Sequence, residues 1–404
     1  MKILLLTQWF DPEPTFKGLL FAKELQANGH EVEVITGFPN YPGGKIYDGY
    51  KIKFIQREYI DGIKVTRVPL YPSHDNSAIK RIFNYISFSF SATLYGIFGA
   101  KKPDVIYIYH PPLTSGVAGA VIGFFRRAPY VIDIQDLWPD TLKATGMVNN
   151  QKVLNIVQVV CNWVYHRATK IVVLSSGFKN RLIQSGQPEN KISVIYNWCD
   201  ESALDIDKSS RLPAEGFNIV FAGNLGRAQG LDTVLLAAMD LSSNERRINF
   251  IFVGSGVVED ELKQTVKDKL IDNVYFIPRL PMKDIGGVLK EADALLVHLK
   301  DEELFSITIP SKTQAYMSIG KPVIMGGRGD AADIIIQADA GIVCEPENVE
   351  SLKQAVICLS QLTENEIEKL GKNAEKFYLD EMSLSAGCKK FISVFDDAIR
   401  MRKL

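Results

Sequence analysis

The chain contains few cysteines, few histidines and almost no net charge. Its 404 residues include five cysteines and five histidines, and the formal net charge is −1. The cysteines are scattered, with no CxxC pair and no Cys/His spacing that would surround zinc, so we expect reduced core residues and no metal. The charge balance argues against wholesale nucleic-acid binding, and no nucleic-acid partner is expected.

Low-complexity tracts, internal repeats and an export signal are also absent from the sequence pattern. Hydrophobic residues make up 46 % of the chain and charged residues 23 %, which is typical of a globular protein and argues against disorder, fibres and solenoids. The apolar run at residues 1–6 is too short for the core of a signal peptide, which favours a cytoplasmic protein.

Charge is unevenly distributed along the chain. Residues 1–200 contain 22 Lys/Arg against 15 Asp/Glu, a net charge of +7, whereas residues 201–404 contain 24 against 32, a net charge of −8. A basic half suits an anionic surface or a phosphate-bearing substrate. Uneven solvated faces would explain the same counts, and the composition does not decide between the two.

Short apolar runs alternate with amphipathic stretches along the whole chain, which is typical of parallel sheets covered by crossover helices. We expect an α/β protein with two Rossmann-like domains facing across a cleft. A first domain is expected over residues 1–205, a second over residues 206–380, and a C-terminal helix over residues 381–404. The predicted strands are Lys2–Leu6, Val32–Thr36, Lys64–Leu70, Asp104–Tyr109, Tyr130–Ile134, Lys170–Leu174, Ile192–Tyr196, Phe217–Phe221, Phe250–Val253, Val274–Ile277, Ala294–His298, Pro322–Met325 and Gly341–Cys344.

Two loops of the second half could bind an anion. Gly223 follows a predicted strand and allows close approach to the backbone, while Asn224 and Gln229 offer donors to phosphate oxygens; a simple tight turn is the alternative. Farther along, Ser311 and Lys312 open a helix whose first amides and dipole attract an anion, and Lys312 adds a charge. A helix cap with a solvated lysine is the alternative there.

The first half has a candidate acceptor side. Asp136 and Trp138 follow the strand that ends at residue 134, and a carboxylate beside an aromatic ring suits a sugar. Asp136 is the preferred base or hydroxyl acceptor. His110 and Asp140 lie at the same predicted edge. The alternatives are that His110 does no more than shape a turn and that Asp140 does no more than cap a helix.

The stretch Ile82–Ala100 is apolar but is interrupted by polar residues, so we expect a core or interfacial helix rather than a membrane span. Its aromatic residues and flanking lysines and arginines suit an anionic bilayer, and packing against the sheet is the alternative. Asp205-Ile206-Asp207 resembles a metal-binding DxD motif, but it falls in a predicted linker and is discounted.

Together these motifs resemble glycosyltransferase family 4, whose members have the GT-B fold, and more narrowly the bacterial O-antigen and capsule L-fucosamine transferases. The resemblance spans nearly the whole chain. The segments that support it are Pro12–Pro14 with Gly18, Gly29–Val32, Gly37–Pro42, Asp136–Pro139, Ala222–Leu225 with Ala228–Gly230, and Pro310–Gln314 with Gly320–Pro322.

The resemblance implies that residues 206–380 bind the donor, a UDP-linked amino sugar, that residues 1–205 bind the acceptor, and that no cofactor is needed. It implies that Gly18 approaches the diphosphate, that the backbone near Arg279 meets the base, and that the loops at Gly223 and Lys312 hold the phosphates. It also implies a polyprenyl-diphosphate-linked sugar as acceptor, and an enzyme peripherally associated with the inner face of the cytoplasmic membrane.

The sequence departs from the family in the donor loops. Many members have Arg and Lys where this chain has Asn224 and Gln229, and two glutamates where it has Ile307 and Ala315. The resemblance leaves retention or inversion at the sugar open. Two other functions are also open: a UDP-amino-sugar epimerase or hydrolase of the same fold, and a non-catalytic nucleotide-sugar-binding protein.

Overall fold

The structure is a computed structural model that describes residues 1–73, 78–144, 147–148, 150–204, 211–244 and 246–403. The chain divides into two compact units. Unit 1 comprises residues 1–174, 178–196 and 387–404, and unit 2 comprises residues 175–177 and 197–386. Each unit is built on one sheet whose strands are mostly parallel.

Unit 1 has eight strands in the order β3-β4-β2-β1-β5-β6-β7-β8. Their apolar, β-branched composition buries most of the inner strands on both faces, as parallel sheets require. Their bounds are β1 Lys2–Leu6, β2 Glu31–Gly37, β3 Gln56–Ile60, β4 Ile63–Val68, β5 Val105–His110, β6 Tyr130–Ile134, β7 Lys170–Val173 and β8 Ile192–Val194.

The helices of unit 1 connect these strands. Gly29, at φ 85°, follows α1 in the left-handed conformation that favours glycine and lets the chain turn into β2. The helices are α1 Leu19–Ala27, α2 Ala78–Phe98, α3 Leu113–Arg126, α4 Asp140–Ala144, α5 Gln151–Arg167 and α6 Ser176–Gln184.

Unit 2 has six parallel strands in the order β11-β10-β9-β12-β13-β14. They are β9 Phe217–Asn224, β10 Ile248–Ser255, β11 Val274–Ile277, β12 Ala294–His298, β13 Val323–Gly326 and β14 Gly341–Cys344. The helices are α7 Glu201–Leu204, α8 Leu231–Leu241, α9 Glu259–Asp268, α10 Met282–Glu291, α11 Glu303–Ser306, α12 Ser311–Ile319, α13 Asp330–Gln337, α14 Val349–Ser360 and α15 Glu364–Phe377.

The last helix, α16 (Leu384–Lys403), follows a π-helical turn at Tyr378–Met382. From residue 387 onward it belongs to unit 1. Phe391 is fully buried, with its ring 5.1 Å from that of Phe21 and 5.6 Å from that of Tyr107, and Phe395 lies 6.1 Å from Tyr107. The apolar stripe of this helix therefore completes the aromatic core of unit 1.

Two predictions differ from the structure, and several strand bounds shift by one to three residues. β3 was not predicted; it pairs with β4 in antiparallel orientation at the sheet edge, and its first three residues are polar. The expectation of core cysteines fails at Cys358, which is exposed. The Asp205-Ile206-Asp207 motif lies outside the described residues.

Candidate active site

The loops at Gly223 and Lys312, which the resemblance assigns to the donor and which we call the donor loops, lie where the strand order of unit 2 reverses. From β9 the chain proceeds outward to β10 and β11, and it then returns to β12 on the other side of β9. The connecting helices therefore leave a crevice at the carboxyl ends of β9 and β12, the usual ligand position of an open parallel sheet. Gly223 and Asn224 end β9, and His298 ends β12.

The loop after β9 is shaped by glycines and by Gln229. Gly223 has φ 138°, a conformation that favours glycine, and Asn224 is exposed at the strand end. The backbone N–H of Gly226 donates to Oε1 of Gln229 at 3.1 Å. Since this bond uses the carbonyl oxygen of Gln229, the NH₂ of the same amide is the group that can donate to a phosphate.

The helix that we predicted after Pro310 is α12, and Lys312 lies in its first turn. Its Nζ is buried, lies 3.7 Å from the centre of the Phe221 ring, and has no hydrogen-bond partner among the described residues. A Cβ built on Gly223 would lie 3.7 Å from this Nζ, so the ammonium group lies beside the glycine backbone. The alternative of a solvated lysine is therefore wrong.

Burial lowers the pKa of Lys312 to about 7. A buried ammonium without a counter-ion is costly, and an anion placed beside it would favour the charged form. Ser311 is exposed at the first position of the same helix, where unpaired amides and the helix dipole also favour negative charge. Gly223 and the first turn of α12 thus form a site suited to a phosphate or diphosphate.

Tyr316 fixes α12 to the donor loop. The backbone N–H of Ala222 donates to the Tyr316 hydroxyl oxygen at 2.7 Å, and that hydroxyl lies 3.2 Å from the carbonyl oxygen of Ala222. The tyrosine is buried one turn beyond Lys312. The helix N-terminus and Gly223 are therefore held in one arrangement, as a preformed anion site requires.

His298 is a site residue that was not predicted from the sequence. Its ring is buried, and Nδ1 lies 2.6 Å from the backbone oxygen of Gln229. Because a carbonyl oxygen only accepts, Nδ1 is the protonated nitrogen and donates this bond. Burial lowers the pKa of His298, which favours the neutral ring. The imidazole thus holds the end of the donor loop just before Gly230.

Arg279 lies apart from these groups along the chain. It is exposed in the loop between β11 and α10. Two strands, β10 and β9, separate β11 from β12 in the sheet. The loop follows the carboxyl end of its strand, so it lies at the same edge of the unit 2 sheet as Gly223.

The strand order of unit 1 reverses between β1 and β5, and His110 is the last residue of β5. Its ring is fully buried, and both ring nitrogens lack hydrogen-bond partners among the described residues. Burial lowers the pKa of His110 to about 3, so the imidazole is neutral. The Trp138 ring meets it edge-on, with centroids 5.6 Å apart.

Asp136 and Asp140 differ in their surroundings. Asp136 is half-buried after β6, and burial raises the pKa of its carboxyl. Asp140 is the first residue of α4, and its carboxylate pairs with Nε of Arg181 at 3.1 Å. Asp136 therefore suits a proton acceptor, whereas Asp140 is engaged in an ion pair at a helix start.

Gly18 is buried at the N-terminus of α1. A Cβ at this position would lie 2.3 Å from Oδ2 of Asp11, and that oxygen accepts a hydrogen bond from the Leu19 N–H at 2.7 Å. A side chain would displace this carboxylate. The cap of α1 therefore explains why glycine is needed here, independently of any ligand.

Buried carboxylates hold the strand-end loops of unit 1 together, and their partners were not predicted from the sequence. Glu13 accepts hydrogen bonds from the N–H groups of Asn40 and Tyr41, both at 2.7 Å, and burial raises its pKa to about 7. Asp133 pairs with fully buried Lys17 at 3.4 Å, and it accepts from Tyr107 at 2.7 Å and from Gln135 at 2.6 Å.

No group of three or more His, Cys, Asp or Glu side chains within the described ranges could hold a metal ion. In the same ranges, no helix has the length and apolar character needed to cross a bilayer.

Comparison with known proteins agrees with this architecture. Residues 19–198 match the family described as "Glycosyl transferase 4-like domain", and residues 203–377 match "Glycosyl transferases group 1". WcaI of Escherichia coli K12, named a glycosyl transferase of colanic acid biosynthesis, is 27 % identical over 372 residues, which are 87 % of this chain and 90 % of WcaI.

Solved structures show the same fold at low sequence identity. Anabaena HepE in complex with UDP superposes with a TM-score of 0.68 at 16 % identity, covering 98 % of this chain and 100 % of HepE. A trehalose-6-phosphate protein of E. coli bound with UDP-2-fluoro glucose gives 0.71 at 10 % identity, covering 98 % and 99 %. The predicted fold, GT-B with two Rossmann-like domains, is confirmed.

Proposed function

The chain is a glycosyltransferase, with a glycosyl transferase 4-like domain at residues 19–198 and a glycosyl transferases group 1 domain at residues 203–377. From this premise we propose its substrates. We propose that it transfers an N-acetyl amino sugar, L-FucNAc, from its UDP-linked form to a polyprenyl-diphosphate-linked sugar. The product belongs to O-antigen or capsule synthesis, and the enzyme works at the inner face of the cytoplasmic membrane.

The observation that supports this proposal most strongly is the buried Nζ of Lys312. It lies beside Gly223 and at the first turn of α12, without a partner among the described residues. A diphosphate leaving group accumulates negative charge as the sugar departs, and a preorganised cation with helix amides stabilises that charge. The site therefore supplies leaving-group stabilisation from the chain's own residues. Anabaena HepE, which has the same fold, has been solved in complex with UDP and with UDP-glucose, which supports a nucleotide-sugar donor here.

We propose the remaining donor contacts from the positions of the two loops. The NH₂ groups of Asn224 and Gln229 donate to phosphate oxygens, and Ser311 donates its hydroxyl and amide. The backbone near Arg279 completes the donor contacts of unit 2. Lys312 takes over part of the role that the absent glutamates at 307 and 315 have in related enzymes.

The acceptor binds unit 1 at the carboxyl ends of β5 and β6. Trp138 packs on the apolar face of the acceptor sugar, and His110 and Asp140 line the same edge. Asp136 takes the proton from the attacking hydroxyl, since its raised pKa makes it a better base than an exposed carboxylate.

Mass spectrometry of reaction products tests the proposed function. UDP-L-FucNAc and other UDP-amino sugars are each incubated with and without an undecaprenyl-diphosphate-linked acetamido sugar. We expect a product heavier by one FucNAc residue, formed only when both substrates are present. Equal UDP release without acceptor would show a hydrolase, and an isomerised donor without acceptor would show an epimerase.

Asp136→Asn tests the acceptor side. The amide cannot accept the hydroxyl proton, so we expect kcat to fall by about 10²-fold or more while the UDP dissociation constant is unchanged. Asp61→Asn, on the exposed surface of the same unit, is the matched control. An unchanged rate in Asp136→Asn would remove Asp136 from the reaction.

A further inference from the structure

Helix α2 exposes an apolar face to solvent. Phe83 is 60 % exposed, Phe90 67 % and Phe98 82 %, whereas Asn84 and Phe88 on the opposite face are buried. The phenylalanines at 83 and 90 are seven residues apart and share one side of the helix. This side of α2 is therefore an outer face, and it does not pack against the sheet.

The end of α3 extends this apolar face. Phe124 is 78 % exposed, and Phe125 next to it is also exposed. The guanidinium of Arg126 donates to the carbonyl oxygens of Ile97 and Ala100, at 3.1 and 2.6 Å, which ties the end of α3 to the end of α2. The end of α2 with Phe98 and the end of α3 with Phe124 and Phe125 therefore lie side by side. We call α2's outer face together with these α3 phenylalanines the aromatic face.

The chain around the aromatic face is basic. Between residues 76 and 132 the sequence has six Lys/Arg and a single acidic residue, Asp104. One of the six, Lys101, pairs with Glu31 at 2.8 Å. Arg127, directly after α3, and Arg402 in α16 add two more cations, and burial together with the charge of Arg127 lowers the pKa of Arg402. Such a surface is complementary to an anionic partner.

We propose that the aromatic face docks on an anionic lipid bilayer, with α2 lying flat in the headgroup region. A helix of 21 residues with phenylalanines on one side and flanking cations matches the known pattern of interfacial helices. At 1.5 Å per residue it is about 30 Å long, so several side chains insert at once. A second copy of the chain is a poorer occupant, because two-fold packing would place like charges against each other.

Docking in this orientation has a consequence for the acceptor. Because α2 connects the end of β4 to the start of parallel β5, it runs alongside the sheet from its carboxyl edge to its amino edge. A bilayer along α2 therefore passes beside the carboxyl edge, where His110 and Asp136 lie. This last step rests on the proposed lipid-linked acceptor; the docking itself rests on the exposed side chains and charge alone.

Vesicle co-sedimentation of the full chain tests the docking. Vesicles of phosphatidylcholine mixed with phosphatidylglycerol are compared with pure phosphatidylcholine. We expect binding to the anionic vesicles that weakens as ionic strength rises. Phe83→Ser combined with Phe90→Ser should raise the vesicle dissociation constant by about 10²-fold, since each inserted phenylalanine contributes about tenfold.

The matched control places the same substitutions on the exposed surface of unit 2. Leu270, which is 87 % exposed, and Ile336 are both changed to serine, and vesicle binding should be unchanged. Circular dichroism and UDP affinity should match the wild type in both double variants, which shows that they fold. If Phe83→Ser/Phe90→Ser binds anionic vesicles as well as the wild type, or if the wild type does not bind them, the proposal is wrong.

Two further measurements separate the remaining outcomes. Sedimentation velocity is measured without lipid. If a second copy of the chain covered the aromatic face, the wild type would be a dimer and Phe83→Ser/Phe90→Ser a monomer, and that result would overturn the proposal. Sugar transfer is measured separately with a detergent-soluble, short-prenyl acceptor. Vesicle binding without sugar transfer would reject the proposed function and leave the docking standing, and transfer without vesicle binding would do the opposite.

Discussion

Among single side chains, Lys312 has the largest expected effect on donor binding. Lys312→Met keeps the aliphatic stem over Phe221 and removes the charge. A hydrogen bond from a charged group contributes about 1.5–3 kcal/mol, so the UDP dissociation constant should rise by about 10- to 100-fold. Isothermal titration calorimetry measures it. Lys372→Met, which removes an exposed lysine, is the control, and it should bind UDP like the wild type.

The pH dependence of UDP binding follows from the same lysine. Its pKa is about 7 in the free protein, and a bound diphosphate raises that pKa. Below pH 7 the ammonium is already formed, and above pH 7 binding must take up a proton, so affinity falls as pH rises through 7. Calorimetry in buffers of different ionisation enthalpy should show proton uptake at pH 8. Equal uptake in Lys312→Met would assign the proton to another group.

His298 is expected to act through the donor loop rather than on the substrate. The side-chain nitrogen of an asparagine at this position can occupy the place of Nδ1, whereas that of a glutamine reaches the place of Nε2. Since Nδ1 holds the Gln229 carbonyl, His298→Asn should retain UDP affinity and His298→Gln should weaken it by about tenfold. Competition binding with labelled UDP measures both. Equal weakening in the two variants would show that only packing matters here.

How far the sequence reveals the site depends on how local each contact is. Gly223 and Lys312 were found because a glycine after a strand and a Pro-Ser-Lys helix start are local patterns. His298 was missed because its partner Gln229 is 69 residues away along the chain, and the alternation of strands does not give the pairing of loops. The missed partners of Glu13 are of the same kind, since Asn40 lies 27 residues away.

At the level of elements, strands were predicted well where the sequence has a short apolar run, both inside the sheets and at their edges. β1, β6, β11, β12 and β14 have the bounds that the apolar runs indicate. β3 was missed because its first three residues are polar and the strand lies at a solvated edge, so it has no continuous apolar run. The sequence predicted a helix in the region of α2, but not whether its apolar side faces the core or the solvent, because periodicity is the same in both cases.

Helix α16 should stabilise unit 1 although it lies at the end of the chain. Phe391 is fully buried between Phe21 and Tyr107, so Phe391→Ala should lower the free energy of unfolding by about 3 kcal/mol. Urea unfolding followed by tryptophan fluorescence measures this, since three of the four tryptophans lie in unit 1. Met401→Ala, at a half-exposed position of the same helix, is the control. Equal stability of Phe391→Ala and the wild type would contradict this packing.

For the whole molecule, the charge division of the sequence acquires a physical interpretation. The basic half forms most of unit 1, which has the aromatic face, and the acidic half forms most of unit 2, whose proposed donor site contains the buried Nζ of Lys312. A buried charge acts strongly on a ligand because burial removes the water that would screen it. The numbers of charged residues in the two halves do not distinguish these sites from unevenly charged solvated faces, because burial is not visible in composition.

A crystal structure of the protein with UDP tests the central claim most directly. We predict the diphosphate at the first turn of α12, with its oxygens in hydrogen-bonding contact with Nζ of Lys312 and with the amide of Ser311, and with Gly223 against the same phosphates. A diphosphate bound elsewhere on unit 2, with the ammonium of Lys312 still unpaired, would contradict the account.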